Sequence, residues 1–281
     1  MKTSTLLFSL FLSFIFITAQ SQNSFEVTKT GKGQPILLFP GFACTADVFD
    51  DLIPELQKNY EVHAFTYAGF GDVPSISFPW LPQIKEEIVQ YVIQQHLKDP
   101  IIIGHSMGGT LGLWLTANSD KYSHLIVVDA LPAMGALMIP DFNPDALQYD
   151  NLHSQQILAM DEPAFADMAD QSAAFMTSNL QKQKVISNWI KTSDRQTYVN
   201  GYTDLLKLDL RDSLKKIRTP VTILAATQPY GKEQAEITYK KQYKNLKQYK
   251  LIFAEGSGHF IMFDRPDWLK EQINTVMKEN E

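Results

Sequence analysis

Several features that define large classes of proteins are scarce or missing in this sequence. Cys44 is the single cysteine among 281 residues, so no internal disulfide can form and a disulfide-rich scaffold is excluded. The 6 histidines never fall at the short spacings that zinc sites use, so we expect no metal ion. Acidic residues outnumber basic ones by 31 to 25, and this net charge of −6 argues against a nucleic-acid partner. Hydrophobic residues make up 44% of the chain, which excludes a disordered polypeptide.

Long hydrophobic runs are also missing, except near the first residues. Lys2 precedes an apolar run over residues 6–17, and the small-residue pattern Ala-Gln-Ser follows at 19–21. This order is typical of a secretory signal peptide, with cleavage near Ser21. The run is shorter than the ~20 residues that a membrane-spanning helix needs. The sequence therefore predicts that residues 1–21 are removed and that the product is exported, periplasmic or secreted, with no membrane span.

Short, fully apolar runs alternate with segments of helical periodicity along the rest of the chain. Runs without polar alternation are typical of strands buried on both faces of a parallel sheet. The sequence therefore predicts an α/β fold with a doubly wound, mostly parallel sheet. A weaker alternation over residues 24–30 predicts an antiparallel edge strand. The predicted central strands cover 36–39, 62–67, 101–104, 125–129, 221–226 and 249–254, and the predicted helices 47–56, 84–97, 107–118, 234–243 and 266–278.

One interval, residues 131–211, contains no convincing strand and has mostly helical character. A structureless loop of that length is uncommon in a compact domain, so we predict a helical cap inserted over one end of the sheet. The predicted domains are thus a core made of residues 22–130 and 212–281, with the cap between them. Methionines scattered through the cap are more often core than binding surface, yet a methionine-rich lid would suit an adaptable apolar pocket.

The strongest chemical signal is the motif Gly104-His105-Ser106-Met107-Gly108, which follows an apolar strand and opens a helical segment. A sharp strand-to-helix turn holds its central residue in strained geometry, and the two outer glycines relieve clashes with neighbouring backbone. The Ser106 hydroxyl would project beyond the sheet edge beside a helix amino terminus, where negative charge is stabilised. The motif predicts Ser106 as a nucleophile, whereas His105 is expected to face away and pack.

Three further segments accompany the serine motif. Residues 38–42 read Leu-Phe-Pro-Gly-Phe, residues 69–71 read Gly-Phe-Gly, and residues 255–260 read Glu-Gly-Ser-Gly-His-Phe. With these segments in this order, the sequence resembles the α/β-hydrolase fold superfamily, as a serine hydrolase with a helical cap. The segments are similar to the family's oxyanion loop, a glycine turn and the catalytic-histidine loop. The glycines at 31–33 and 69–71 do not continue to a nucleotide-binding motif, so we expect no cofactor.

The resemblance implies a role for each part of the site. A serine hydroxyl is a poor nucleophile at neutral pH, so a base must remove its proton during attack on an acyl carbon. His259, in the loop after the last core strand, is the predicted base. The backbone N–H groups of Met107 and Phe42 would form the oxyanion hole that stabilises the tetrahedral intermediate.

The acid that should orient the histidine is missing from its most usual place in the family. After the run 221–226 the chain carries no carboxylate until Glu233. Some family members place the acid after the strand that follows the nucleophile helix, and Asp129 stands at that point. We therefore predict Asp129 as the acid, because it would stabilise the charged imidazole and keeps the order serine, aspartate, histidine. Glu233, Glu255 or no acid at all remain alternatives.

These observations predict an exported serine hydrolase that cleaves a small or medium carboxylic ester, or a related acyl compound, through an acyl-enzyme on Ser106. The expected partner is a small-molecule acyl substrate. Lactonase, thioesterase, amidase and perhydrolase activities on the same residues are alternatives, because the cap decides the substrate and its sequence carries no readable code. A non-catalytic protein that binds an acyl compound or another small molecule is a further alternative, motivated by the absent acid. The oligomeric state stays open.

Overall fold

A computed structural model describes residues 23–279, so the predicted signal peptide over 1–21 lies outside the described residues. Seven strands form one sheet in the order β1-β3-β2-β4-β5-β6-β7. Strand β1 runs antiparallel to β3, and every other neighbouring pair is parallel. The strands are β1 (Phe25–Gly31), β2 (Gln34–Phe39), β3 (Tyr60–Tyr67), β4 (Ile101–His105), β5 (His124–Val128), β6 (Val221–Ala226) and β7 (Lys250–Ala254).

Strands β4, β5 and β6 are buried along their whole length, which explains their unbroken apolar sequences. Such burial is expected where both faces of a parallel sheet are covered. Strand β1, at one edge of the sheet, has Phe25 buried and its other residues exposed or half-buried. The predicted mostly parallel sheet is confirmed, and the weak alternation over 24–30 corresponds to the antiparallel edge strand.

Helices flank the sheet and fill the interval between β5 and β6. Among the described residues of 131–211, the regular elements are helical, in the segment where the sequence predicts a cap. The helices are α1 (Ile53–Leu56), α2 (Trp80–Gln94), α3 (Met107–Asn118), α4 (Gly135–Met138), α5 (Leu152–Leu158), α6 (Glu162–Met176), α7 (Leu180–Thr192), α8 (Arg195–Lys207), α9 (Lys232–Gln242), α10 (Ile261–Asp264) and α11 (Pro266–Glu279), with 3-10 turns at Ala46–Phe49, Pro144–Ala146 and Ser213–Lys216.

Two helices differ from their predicted bounds by more than two residues at an end, and proline explains the first. The helix predicted over 47–56 is divided into the turn Ala46–Phe49 and the short α1. Pro54 in the first turn of α1 lacks an N–H and clashes with the preceding turn, so it starts a helix but cannot continue one. Helix α2 begins at Trp80, before its predicted start, because a side chain distant in the sequence caps its amino terminus.

A carboxylate from the inserted helices caps the amino terminus of α2. Asp204 on α8 accepts hydrogen bonds from the backbone N–H of Trp80 at 2.6 Å and of Leu81 at 3.1 Å. The Tyr149 hydroxyl donates to its other oxygen at 2.6 Å. Since these N–H groups have no partner within their own helix, the buried Asp204 both stabilises the start of α2 and fixes α8 to the core. No helix within residues 23–279 has the length and apolarity needed to cross a membrane.

Candidate active site

The strand-to-helix turn predicted around Ser106 joins β4 to α3 in a strained conformation. Ser106 has φ 51° and ψ −123°, a region that non-glycine residues rarely occupy. A Cβ atom on Gly104 would lie 2.3 Å from the carbonyl oxygen of Gly108, and one on Gly108 would lie 2.1 Å from that of Phe39. Only glycine fits at both positions, which accounts for the sequence pattern. The Ser106 N–H donates to the Val128 carbonyl at 2.9 Å and so ties the turn to β5.

Asp129 directly follows β5 and contacts His259. Its Oδ2 accepts a hydrogen bond from His259 Nδ1 at 2.6 Å. Its Oδ1 accepts from the backbone N–H of Ala226 at 2.7 Å and from the Tyr239 hydroxyl at 2.8 Å. The backbone of Asp129 is left-handed, with φ 47°, and its N–H donates to the Leu224 carbonyl at 2.8 Å. The carboxylate is thus fixed from the ends of two neighbouring strands and from α9.

The surroundings of Asp129 favour its charged form. Burial raises the pKa of a carboxyl group, but here the hydrogen bond and charge of His259 and the donors Ala226 N–H and Tyr239 O–H outweigh it. The pKa of Asp129 is therefore held below its ordinary value. An ionised carboxylate can only accept hydrogen bonds, so His259 carries its proton on Nδ1 and directs the lone pair of Nε2 away from Asp129.

The two alternative acids lie elsewhere. Glu255 pairs with Lys232 at 2.5 Å, and both side chains are exposed. Glu233 is exposed in the first turn of α9. Of the three carboxylates considered from the sequence, the structure brings Asp129 together with His259.

Tyr239 is a site residue that the sequence analysis missed. Its ring is buried, stacks on Tyr243 with centroids 5.9 Å apart, and presents its hydroxyl to Asp129. The Tyr243 hydroxyl in turn donates to the carbonyl oxygen of Ala130 at 2.8 Å. Both tyrosines lie at the end of the predicted helix 234–243, but nothing in a single sequence indicates which distant group a buried hydroxyl reaches.

His259 lies against His105, the residue before Ser106. The Nε2 atom of His105 donates to the carbonyl oxygen of His259 at 3.1 Å, and the centroids of the two rings are 4.8 Å apart. Among residues 23–279, the Ser106 hydroxyl makes no hydrogen bond to His259. Such bonds are often long in unliganded enzymes and tighten in the substrate complex.

His105 does more than the packing expected from the sequence. It is fully buried, and burial lowers its pKa to about 3, with a further lowering by the nearby His259. The ring is therefore neutral and, because Nε2 donates to His259, its Nδ1 carries the lone pair. The expectation that His105 faces away from the site is incomplete, since its side chain supports the backbone of His259.

The two backbone groups predicted for the oxyanion hole lie on either side of the turn. The Met107 N–H opens α3, where the first amides of a helix have no partner in their own helix. The loop that carries Phe42 packs on the turn, because a Cβ on Gly41 would lie 3.3 Å from Ser106 Cβ. Within the described part of the chain, neither N–H donates a hydrogen bond, and two such donors can stabilise an oxyanion.

Aromatic side chains from the inserted helices cover the Phe42 loop. The Phe42 ring lies 5.6 Å from Tyr198 and 5.4 Å from Tyr202, both on α8, measured between centroids. Phe70 at 5.0 Å and Trp80 at 5.9 Å complete the cluster. Burial raises the pKa of Tyr198 to about 12, so its hydroxyl stays protonated at neutral pH. The side of the site next to Phe42 is therefore apolar and uncharged.

Two other kinds of chemistry find little support in residues 23–279. The structure assembles no group of three or more His, Cys, Asp or Glu side chains there that could hold a metal ion. Cys44 is buried, and burial raises the pKa of its thiol, so it is no thiolate nucleophile.

Comparison with known proteins supports the same fold and chemistry. The pimeloyl-(acyl-carrier protein) methyl ester esterase of Vibrio cholerae serotype O1 is 26% identical over 196 residues, which cover 68% of this chain and 74% of that protein. Esterase YbfF of Escherichia coli (strain K12) is 22% identical over 276 residues, which cover 93% of this chain and 97% of that protein.

Solved structures and a family model complete the comparison. The esterase EaEST from Exiguobacterium antarcticum superposes with a TM-score of 0.74 at 18% identity, covering 90% of this chain and 95% of that one, which shows a shared fold. The model of the alpha/beta hydrolase family matches residues 36–272. The resemblance found in the sequence is thereby confirmed, and the chain belongs to the alpha/beta hydrolase family.

Proposed function

We propose that the protein is an exported serine hydrolase that cleaves a small or medium carboxylic ester through an acyl-enzyme on Ser106. The observation that carries the proposal is the 2.6 Å hydrogen bond between Asp129 and His259, together with the strained turn that holds Ser106. A histidine oriented in this way can act as the base that a serine nucleophile requires. Esterases among the relatives support cleavage of an ester bond.

Each group has a defined part in the reaction. His259 Nε2 accepts the proton of Ser106 as the serine oxygen attacks the acyl carbon, and Asp129 stabilises the resulting imidazolium. The N–H groups of Met107 and Phe42 donate to the oxyanion of the tetrahedral intermediate. The imidazolium then protonates the leaving alcohol. In the second half, His259 activates a water molecule that hydrolyses the acyl-enzyme.

The cover over the site supports an uncharged acyl group as substrate. Tyr198, Tyr202 and Phe42 offer apolar ring surfaces and no charge on this side. Lactonase, thioesterase, amidase and perhydrolase reactions use the same residues, so they stand as alternatives that a substrate panel separates.

Hydrolysis of nitrophenyl esters of graded acyl length, by the purified protein without residues 1–21, tests the proposal. We expect turnover that Ser106→Ala lowers by up to ~10⁶-fold while circular dichroism stays unchanged. The dependence of turnover on acyl length would then measure the space available to the acyl group under the cap. Saturable binding of the esters without product, by a folded protein, would instead establish the non-catalytic binding protein.

Export is proposed from the leader alone and needs its own experiment. Residues 1–21 have the form of a signal peptide. Amino-terminal sequencing of the protein recovered from the periplasm or medium of an expressing bacterium should show a new start near residue 22. Recovery of the uncleaved chain from the cytoplasm would contradict export and leave the proposed chemistry untouched.

A further inference from the structure

Asp264, at the end of α10, connects the inserted helices to the loop that carries His259. Its Oδ1 accepts hydrogen bonds from the turn between α6 and α7, here named the cap turn (residues 177–179). The donors are the Thr177 hydroxyl at 2.6 Å, and the backbone N–H and hydroxyl of Ser178, each at 3.0 Å. One carboxylate oxygen thus binds three donors of the cap turn.

The other oxygen of Asp264 binds the residue immediately before His259. The Gly258 N–H donates to Oδ2 at 2.7 Å. On the other side of His259, the Phe260 N–H donates to the carbonyl oxygen of Met176, next to the cap turn, at 3.3 Å. A Cβ on Gly258 would lie 2.7 Å from that same carbonyl oxygen, so the two segments are in direct contact. Gly258 is thus held by a carboxylate that also binds the cap turn, and Phe260 is held by the carbonyl of Met176, which precedes the cap turn.

We propose that Asp264 is a positioning residue that couples the placement of the cap turn to the alignment of His259 with Ser106. This inference rests on the proposed function of the site. The core already fixes the His259 ring through Asp129 and its carbonyl through His105. The Ser257 carbonyl also ties the loop to the core, by accepting from the N–H groups of Thr227 and Gln228. Asp264 adds the link to the cap turn, so a shift of the cap turn changes the support of the Gly258 N–H and with it the ring of His259.

The state of the site fits this coupling. In residues 23–279 the bond from His259 to Asp129 is formed, whereas the bond from His259 to Ser106 is absent. Completing the arrangement requires His259 Nε2 to reach the Ser106 hydroxyl, and catalysis is sensitive to displacements of about 1 Å. Contact of a substrate with the inserted helices would thus reach the base through Asp264, which links substrate binding to catalytic alignment.

Steady-state kinetics on a nitrophenyl ester test the coupling from both sides. Asp264→Ala removes the carboxylate, and the double substitution Thr177→Val with Ser178→Ala removes two of its donors on the cap turn alone. We expect both to lower kcat, Asp264→Ala by ~10- to 100-fold, with smaller changes in KM. Thr192→Val is the matched control, because this cap hydroxyl bonds only within its own helix, to the carbonyls of Asn188 and Trp189, and should leave kcat unchanged.

Combining the substitutions shows whether they act through one contact. If the cap turn reaches His259 through Asp264, the triple variant should lose no more kcat than Asp264→Ala alone. Losses in kcat that simply multiply would overturn the coupling, since the two sides would then act separately.

A second readout does not depend on turnover. The His259 Nδ1 proton is hydrogen-bonded to Asp129 and gives a downfield proton resonance, which reports the position of the imidazole ring relative to the carboxylate. We expect it to shift or broaden in Asp264→Ala and in the cap-turn variant, but not in Thr192→Val. If these variants lower the melting temperature but leave kcat and this resonance unchanged, Asp264 has a structural role alone and the coupling is overturned. A protein that hydrolyses no ester yet shows the shifted resonance would refute the proposed function and keep the positioning role.

Discussion

The sheet edge and the inserted helices hold their functional residues by different means. In the sheet, Ile103 and Val127 are fully buried, and Ser106 and Asp129 follow within three residues along the same strands. The inserted helices expose large apolar side chains, among them Leu180 at 72%. Covalent proximity to a buried strand fixes the chemistry, whereas the inserted helices are held by side-chain packing and by a few polar contacts with the core.

Two aspartates provide such contacts between the inserted helices and the core. Asp204, on the inserted helix α8, binds the N–H groups at the start of α2. Asp264 binds the cap turn and the loop of His259. A buried carboxylate with several donors is stabilising only while all its bonds are made, so such a contact is strong but easily lost on substitution. This difference predicts that substitutions at the sheet edge and substitutions in the contacts of the inserted helices will have separable effects on kcat and on stability.

The largest expected effect is on the sheet edge. Asp129→Asn keeps the shape of the side chain but removes the charge that stabilises the imidazolium of His259. We expect kcat to fall by ~10⁴-fold with folding unchanged, measured on the ester found most active. Near-normal turnover in this variant would contradict the assignment of Asp129 as the acid and would leave Glu233 or Glu255 as candidates.

Substituting one apolar side chain in each region compares how much such side chains stabilise the sheet and the inserted helices. Ile103→Ala in β4 should lower the free energy of unfolding by about 2 to 5 kcal/mol, because it leaves a cavity in a close-packed core. Leu180→Ser on the exposed face of α7 should change it by less than about 0.5 kcal/mol. Urea unfolding of both variants provides the comparison. Equal losses would mean that Leu180 is covered in the protein as it exists in solution.

Asp204 and Asp264 should differ in what they affect. Asp204→Asn leaves one acceptor oxygen for the donors from Trp80, Leu81 and Tyr149, so we expect a loss of about 1 to 3 kcal/mol in stability. Because none of these donors contacts His259, kcat on a small ester should stay within a few-fold of the unsubstituted protein. A large fall in kcat at unchanged stability would contradict this division between the aspartates.

The smallest effect appears as a pH dependence. Since the folded-state pKa of Asp129 is below its ordinary value, its ionised form contributes stability above the unfolded-state pKa of about 3.9. That contribution is lost as the pH falls through the lower folded-state value. The stability difference between the protein and Asp129→Asn should therefore be constant near neutral pH and shrink below about pH 4. Thermal melts across this range check it, and in Tyr239→Phe, which lacks one donor to the carboxylate, the loss on acidification should be smaller and complete at a higher pH.

The sequence predicted best what depends on neighbours along the chain. The glycines around Ser106 and the apolar strands before Ser106 and Asp129 are local patterns, and they led to the sheet and to the residues that the structure brings together. The contacts of Tyr239 with Asp129 and of Asp204 with Trp80 join residues 110 and 124 positions apart. One sequence carries no periodicity that reveals such pairs, which is why the early start of α2 and the support of Asp129 by a tyrosine were missed.

The backbone of Ser106 has a consequence for the evolution of the fold. A residue held in a sparsely populated backbone region costs of order 1–3 kcal/mol, and every folded molecule carries this cost whether or not a substrate is bound. Glycine would adopt φ 51° and ψ −123° without that strain. A lineage that no longer needed the reaction could therefore gain stability by replacing its nucleophile. A serine at this position therefore costs the fold stability and supplies a hydroxyl that glycine lacks.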